Sequence, residues 1–324
     1  MKIKAIREVI EKNLNNERAY SNSFGSGSTK IGSLGVVTIN LPRIAYKNQG
    51  NEDLFLEELR NFVCDAAKIN HAKRNVVRKR IDNGNLPLYT LGFIDLKKQY
   101  STCGIIGLNE AIEIMGYNLL EKDGQEFALK ILNVINETNS KFEQQFGFPH
   151  NCEQIPGESS AVKLAQKDKL LKYQTDDYEY ELYSNQFVPL ITNADLLDRI
   201  KIQGLFDKHF SGGSIAHLNV DTEITDVRKM EKLISLAAKK GVIYFAVNYN
   251  LQLCANGHMS VGKNSKCSCG ADITEEFTRI VGYLVRVKAF NKTRREIDYP
   301  NRKFYSDIDI KEENNIEEYF QKVA

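Results

Sequence analysis

The chain has 324 residues, 42% of them hydrophobic, so it can bury a sizeable core. Its 44 basic and 42 acidic side chains leave a net charge of +2, which gives no electrostatic footprint for nucleic acid. No run of eighteen apolar residues occurs and the opening MKIKAIREVIEKN lacks a signal-peptide core, so the expectation is a soluble, cytoplasmic chain without a membrane partner.

In such a reducing compartment, six cysteines point to metal ligation, redox chemistry or plain burial rather than to disulfides. No repeat period and no low-complexity tract is present, which excludes a solenoid.

Residues 21–35, SNSFGSGSTKIGSLG, read as an ordered Gly/Ser-rich loop or a linker. The loop lacks the spacing of a phosphate-binding P-loop. The β-branched run GVVTIN, carried through Leu41 and taken as 36–41, is a strand. Residues 51–84 carry a helical pattern with Asn51 as N-cap and Gly84 as stop. Cys64 falls on the apolar face of that helix, and KRNVVRKR (73–80) reads as its solvated face. LYTLGFIDL (88–96) reads as a second strand.

Helices are predicted near 109–116, 123–145 and 159–172, then strand IAHLNV, helix 225–240 and strand VIYFAVNYN. His217, in IAHLNV, reads as a core histidine before a catalytic one. This alternation of strand and helix predicts an α/β architecture.

At Cys254 the character changes to polar and Gly-rich, which marks a boundary between 1–253 and a small module at 254–324. CANGHMSVGKNSKCSCG offers Cys254, His258, Cys267 and Cys269, as two short pairs, C-x3-H and C-x-C, across a loop. Thiolate and imidazole are the ligands tetrahedral zinc prefers, and four protein ligands would make the site structural. The alternative is three reduced cysteines sharing a loop. Asn256 or a water is the substitute for His258.

Thirteen residues after Cys269 comes Gly282, inside the strand-like run TRIVGYLV (278–285). A glycine in a strand marks a bulge or a close approach.

The knuckle, then RIVGYL and FNKTRREIDYPNRKFY, resembles the C-terminal end of the anaerobic (class III) ribonucleoside-triphosphate reductases, a glycyl-radical family. GSLGVVTINLPRIAY (32–46), GIIGLNEAIEIMG (104–116), EQIPGESSAVKLAQKD (153–168) and FSGGSIAHLNV (210–220) resemble further segments of that family in family order. The resemblance spans about 22–305 and implies part of a ten-stranded α/β barrel, with a C-terminal module holding zinc and the radical loop. It implies that Gly282 stores the radical, installed by a radical-SAM activating enzyme. It further implies transfer to a cysteine thiol that attacks the 3′ hydrogen of a ribonucleoside triphosphate.

Formate or a small redoxin is the implied reductant, and a homodimer the implied assembly. The ATP and dNTP effector sites are expected outside this chain. The family's radical-accepting cysteine lies upstream of the GVVTINLPR strand, where this chain has none. The expectation is therefore one piece of a split enzyme with an N-terminal partner chain, or a truncated frame. A non-catalytic subunit supplying the radical loop is the rival.

Cys103, between a presumed strand and a helix, is either an alternative thiyl site or an inert core thiol; Cys152 stays open in the same way. Asn40 is implied to lie beside the radical cysteine, against the reading of a strand-end residue before Pro42. Glu158, in PGES, is either an acid of a helix's first turn or a carboxylate bonding ribose hydroxyls.

Overall fold

The computed structural model describes residues 30–280 and 282–306; most of the Gly/Ser-rich loop at 21–35 and the residues after 306 lie outside this range. Strand β1 (Gly32–Asn40) leads through helix α1 (Leu41–Lys47) into the long helix α2 (Glu52–Asp82). Strand β2 (Gln99–Ile106), helices α3 (Leu108–Ile114) and α4 (Lys122–Phe146), strand β3 (His150–Gln154) and helix α5 (Glu158–Leu170) follow. Helix α6 (Leu196–Asp207), strand β4 (Ala216–Asn219), helix α7 (Val227–Lys239) and strand β5 (Phe245–Asn248) complete the alternation.

Strands β1, β2 and β3 form a parallel sheet in chain order, and β4 and β5 form a second parallel pair. Parallel neighbours need long crossovers, which the helices supply. A parallel bridge from Glu153 to Gly213 brings the segment before β4 alongside β3. The chain then changes style. Strands β6 (Leu251–Cys254), β7 (Met259–Val261), β8 (Ile273–Arg279) and β9 (Leu284–Arg286) make an antiparallel sheet in the order β7-β6-β8-β9.

Helix α2 forms where the sequence places it. The Asn51 side chain accepts a hydrogen bond from the Leu54 amide at 3.1 Å, and Gly84 leaves the helix with φ +74. Phe55, Leu59 and Val63 from α2 and Phe127, Ile131 and Ile135 from α4 cover Ile39, Cys103, Ile105 and Cys152 of the sheet. Phe55 meets Phe127 edge-on at 5.4 Å.

Four expectations are corrected. LYTLGFIDL is not a strand: Pro87 opens a helical turn, Pro87–Thr90, and Gly92 reverses the chain at φ +77. Proline suits the first helical position because its missing amide hydrogen has no partner to lose there. The strand is β2, which begins at Gln99 and is buried along its whole length. Cys103 therefore lies inside β2 rather than after a strand.

Cys64 is only partly buried. The basic run is not wholly solvated either. Arg74 is completely buried, with Nη1 donating to the Leu96 carbonyl at 2.7 Å and Nη2 to the Gln99 carbonyl and to Ser101 Oγ at 3.2 Å. Its guanidinium also sits 4.3 Å from the centre of the Phe148 ring. Burial pulls its pKa down to about 10, still charged at neutral pH.

Arg74 thus ties the end of α2 to the start of β2. Arg74→Met strands two carbonyls and is expected to lower the unfolding free energy by about 2–4 kcal/mol in denaturant titrations, against about 0.5 kcal/mol or less for the exposed Arg80→Met. A loss under about 1 kcal/mol for Arg74→Met contradicts this role.

Candidate functional site

The antiparallel sheet carries two functional candidates at its two ends. At one end, two tight turns face each other. The first follows β6: the Cys254 amide donates to the His258 carbonyl at 3.0 Å, and Gly257 takes φ +84. The second closes with Cys267 N–H to the Ala271 carbonyl at 2.9 Å, and Gly270 takes φ +86. Positive φ is what glycine tolerates and other residues do not.

The turns bring the ligating atoms of Cys254, His258, Cys267 and Cys269 within 4.8 Å of one another. Cys254 and Cys269 Sγ are 3.9 Å apart, and Cys267 Sγ lies 3.8 Å from His258 Nδ1. Tetrahedral zinc with sulfur at 2.3 Å has sulfur–sulfur edges of about 3.8 Å, so the donor set fits. Asn256 does not take the place of His258: its amide points a donor at Cys269 Sγ, 3.5 Å away.

At the other end, β8 and β9 pair through Thr278–Val285 and Arg279–Leu284, and Gly282 sits in the turn that joins them. The sequence run TRIVGYLV is therefore a hairpin and not one strand with a bulge. A Cβ built at Gly282 would meet no described atom within 4 Å. Crowding among the described residues does not demand glycine at this position.

The turn is held from below. The Arg279 amide donates to Asn248 Oδ1 at 3.0 Å, and the Arg279 carbonyl accepts from Arg302 Nη1 at 2.7 Å. Asn248 Nδ2 donates to Asn219 Oδ1 at 2.7 Å, and Asn219 Nδ2 to the Lys303 carbonyl at 3.1 Å. Behind them, Asp298 accepts from Arg294 Nη1 at 2.8 Å and from Arg302 through Nη2 at 2.7 Å and Nε at 3.0 Å. All three are buried. Burial alone would raise the Asp298 carboxyl, but Arg302 and then Arg294 hold it below the usual range. Arg294 Nε donates to the Glu158 carbonyl at 3.2 Å, which joins this clasp to the first turn of α5.

His217 in β4 is 2% exposed, and neither ring nitrogen has a partner among the described residues. Burial, then the Arg302 and Arg279 charges, pull its pKa down to about 3, so the ring is neutral.

The remaining candidates sit on the parallel sheet. Asn40 ends β1, and its Nδ2 donates to Asp168 Oδ2 at 2.7 Å while its Oδ1 is buried without a partner among the described residues. Asp168, fully buried, also accepts from Arg43 Nε at 2.6 Å and the Tyr183 hydroxyl at 2.7 Å. Glu158 is partly buried in the first turn of α5. Cys103 and its register neighbour Cys152 pack in the apolar core cluster. Burial pushes the Cys103 thiol up to about 12 and the Cys152 thiol well above its ordinary value.

A cavity of about 400 Å³ opens among Ser33, Glu153, Gln154, Gly212, Ser214 and Tyr244, and Asn40, Cys103 and Glu158 are not among its lining residues. Sequence reasoning passed over Glu153, although it is the only charge in the strand HNCEQ. It also passed over Asp168, Asp298, Arg279 and Arg302.

The family described as anaerobic ribonucleoside-triphosphate reductase matches residues 7–305. The chain belongs to that family. A solved anaerobic ribonucleotide reductase superposes with a TM-score of 0.80 at 40% identity, over 86% of this chain and 46% of the other. The Thermotoga maritima anaerobic ribonucleotide reductase with glycerol in its active site gives 0.76 at 40% identity, over 84% and 45%. The anaerobic ribonucleoside-triphosphate reductase of Enterobacteria phage T4 is 24% identical over 248 residues, 68% of this chain and 38% of the relative.

The chain thus spans less than half the length of these anaerobic reductases. The α/β class with parallel sheets is as the sequence predicts, and it is the fold of these reductases. Among the described residues no helix is long and apolar enough to cross a membrane. Three of the segments that resemble the reductase family, those beginning at Gly32, Glu153 and Phe210, meet at the 400 Å³ cavity.

Burial pushes the Glu153 carboxyl from 4.5 up to about 7. An acid raised on folding keeps its proton in the folded state while the unfolded state has lost it, so it removes stability as pH rises from about 4.5 to about 7. Wild type is expected to melt progressively lower than Glu153→Gln across that window, with the difference constant below it. A constant difference from pH 4 to 8 contradicts a raised carboxyl.

Proposed function

We propose that this chain is the portion of an anaerobic ribonucleoside-triphosphate reductase that carries the radical, stored on Gly282. The observation that supports this most is the setting of that glycine, where packing among the described residues does not ask for it. The chemistry of its α-carbon remains as the reason. A radical there is flanked by an amide nitrogen and a carbonyl, and no side chain prevents it from becoming planar.

On this reading the five parallel strands are part of the ten-stranded α/β barrel, residues 1–253, and 254–324 form the zinc and radical module. A radical-SAM activating enzyme removes one hydrogen atom from Gly282. The substrates are ribonucleoside triphosphates, the reductant is formate or a small redoxin, the assembly a homodimer and the location cytoplasmic, with effector nucleotides bound outside this chain. Asn40 supports a substrate-facing role through its buried Oδ1, unpartnered among the described residues, and Glu158 stays a candidate in the first turn of α5. Cys103 fits an inert core thiol better than a radical acceptor, because it packs in the apolar core cluster and does not line the 400 Å³ cavity.

Zinc held by Cys254, His258, Cys267 and Cys269 would cross-link two turns and supply no chemistry beyond that. The cluster and Gly282 sit at opposite ends of β8, roughly 20 Å apart along the strand. The metal therefore anchors the far end of the sheet rather than the glycine turn itself.

Anaerobic incubation with the activating enzyme and S-adenosylmethionine is expected to give a doublet in electron paramagnetic resonance that Gly282→Ala lacks. No doublet in wild type, or a doublet that survives Gly282→Ala, overturns the assignment. Metal analysis is expected to find about one zinc per chain, lost in Cys267→Ser/Cys269→Ser; stoichiometric zinc in that variant refutes the ligand set.

A further inference from the structure

We infer that Arg279 is the positioning residue for Gly282, its guanidinium holding the glycine carbonyl and drawing spin onto it once the radical forms. This inference rests on the Gly282 reading above and concerns a contact that the reading does not require. Arg279 is the last residue of β8, and its Nη1 donates to the Gly282 carbonyl at 2.5 Å.

The base of that side chain is fixed on both sides. Its amide bonds Asn248 and its carbonyl takes Arg302, so the reach from strand to turn is set by backbone that is already held. Among the described residues the guanidinium charge is also undivided. Arg294 and Arg302 share Asp298, whereas Arg279 pairs with no carboxylate among the described residues. The buried ring that feels its charge, His217, is neutral and takes none of it up. What the cation meets is the carbonyl oxygen of the glycine.

The chemistry of an α-carbon radical gives that contact a purpose. When one hydrogen atom, proton and electron together, passes from the Gly282 Cα to an abstracting organic radical, the remaining electron is shared with the amide nitrogen as donor and the carbonyl as acceptor. A charge-assisted hydrogen bond to the carbonyl oxygen makes it a better acceptor and fixes the peptide plane on which the sharing depends. Protein groups tune radical centres by this kind of contact, while the chemistry belongs to the centre itself.

Arg279→Met and Arg279→Lys test the inference, because both keep the main-chain bonds to Asn248 and Arg302. The first readout needs no radical: isotope-edited infrared spectroscopy with ¹³C-carbonyl glycine, taken as the difference from Gly282→Ala. The Gly282 amide band is expected to move to higher frequency in Arg279→Met and to stay near wild type in Arg279→Lys. An unmoved band in Arg279→Met overturns the contact.

The second readout is the activated protein. In Arg279→Met the doublet is expected to decay about tenfold faster, the change that 1.4 kcal/mol brings, with an altered carbonyl ¹³C hyperfine splitting that Arg279→Lys restores. Equal lifetime and equal splitting in Arg279→Met overturn the tuning role. A wild type without a doublet refutes the Gly282 reading instead, and the infrared band still decides the contact.

Discussion

The Asp298 carboxylate between Arg294 and Arg302 is the interaction on which the position of the glycine turn depends. Two cations and one anion taken out of water cost several kcal/mol each, repaid only when geometry is good and every remaining donor finds an acceptor. Here Arg302 grips both carboxylate oxygens, Arg294 adds a third bond, and Arg302 Nη1 and Arg294 Nε reach backbone carbonyls, while Arg294 Nη2 has no partner among the described residues. Those carbonyls belong to Arg279, beside the glycine turn, and Glu158, at the start of α5. One buried anion therefore sets the position of the turn relative to the parallel strands.

Beneath that clasp, the pair Asn219 and Asn248 does the work of a sheet ladder where no ladder exists. Each amide gives one bond to its neighbour or to the C-terminal segment, and Asn248 Oδ1 also accepts from Thr278 and Arg279. Side chains at the ends of β4 and β5 thus continue the hydrogen bonding of the sheet into the antiparallel module. The arrangement is stiff because its members are buried and nearly all satisfied.

Much of this was legible in advance, and for identifiable reasons. Helix α2 announced itself through its cap, its period and its terminal glycine. The knuckle announced itself because ligand spacing is local, and the order of five motifs placed the family. Strand β2 stayed hidden because QYSTCGII mixes polar and apolar residues, although burial on both faces makes alternation uninformative there.

The polar networks stayed hidden for a different reason. Asn40 finds Asp168 across 128 positions and Arg294 finds Glu158 across 136, so no local pattern names either partner. In sequence, Asp168 is one acid in the charged helix ESSAVKLAQKDKL, and Arg74 one base in a basic run. Only the fold distinguishes a charge that caps a surface from one that closes a core.

The parallel bridge between Val220 and Tyr305 carries a consequence for the order in which the molecule is made. Lys303 bonds the Leu190 carbonyl, Tyr305 bonds that of Asn219, and the Tyr305 hydroxyl accepts from Arg199 at 2.7 Å. None of these acceptors and donors is in place until α6, β4 and β5 have assembled. During synthesis from the N-terminus, the segment that bonds the glycine turn through Arg302 thus docks after α6 and β4, and contacts of such long range are slow to close. On the proposed reading of Gly282, a turn that forms only on this scaffold cannot be presented for activation before the scaffold is built.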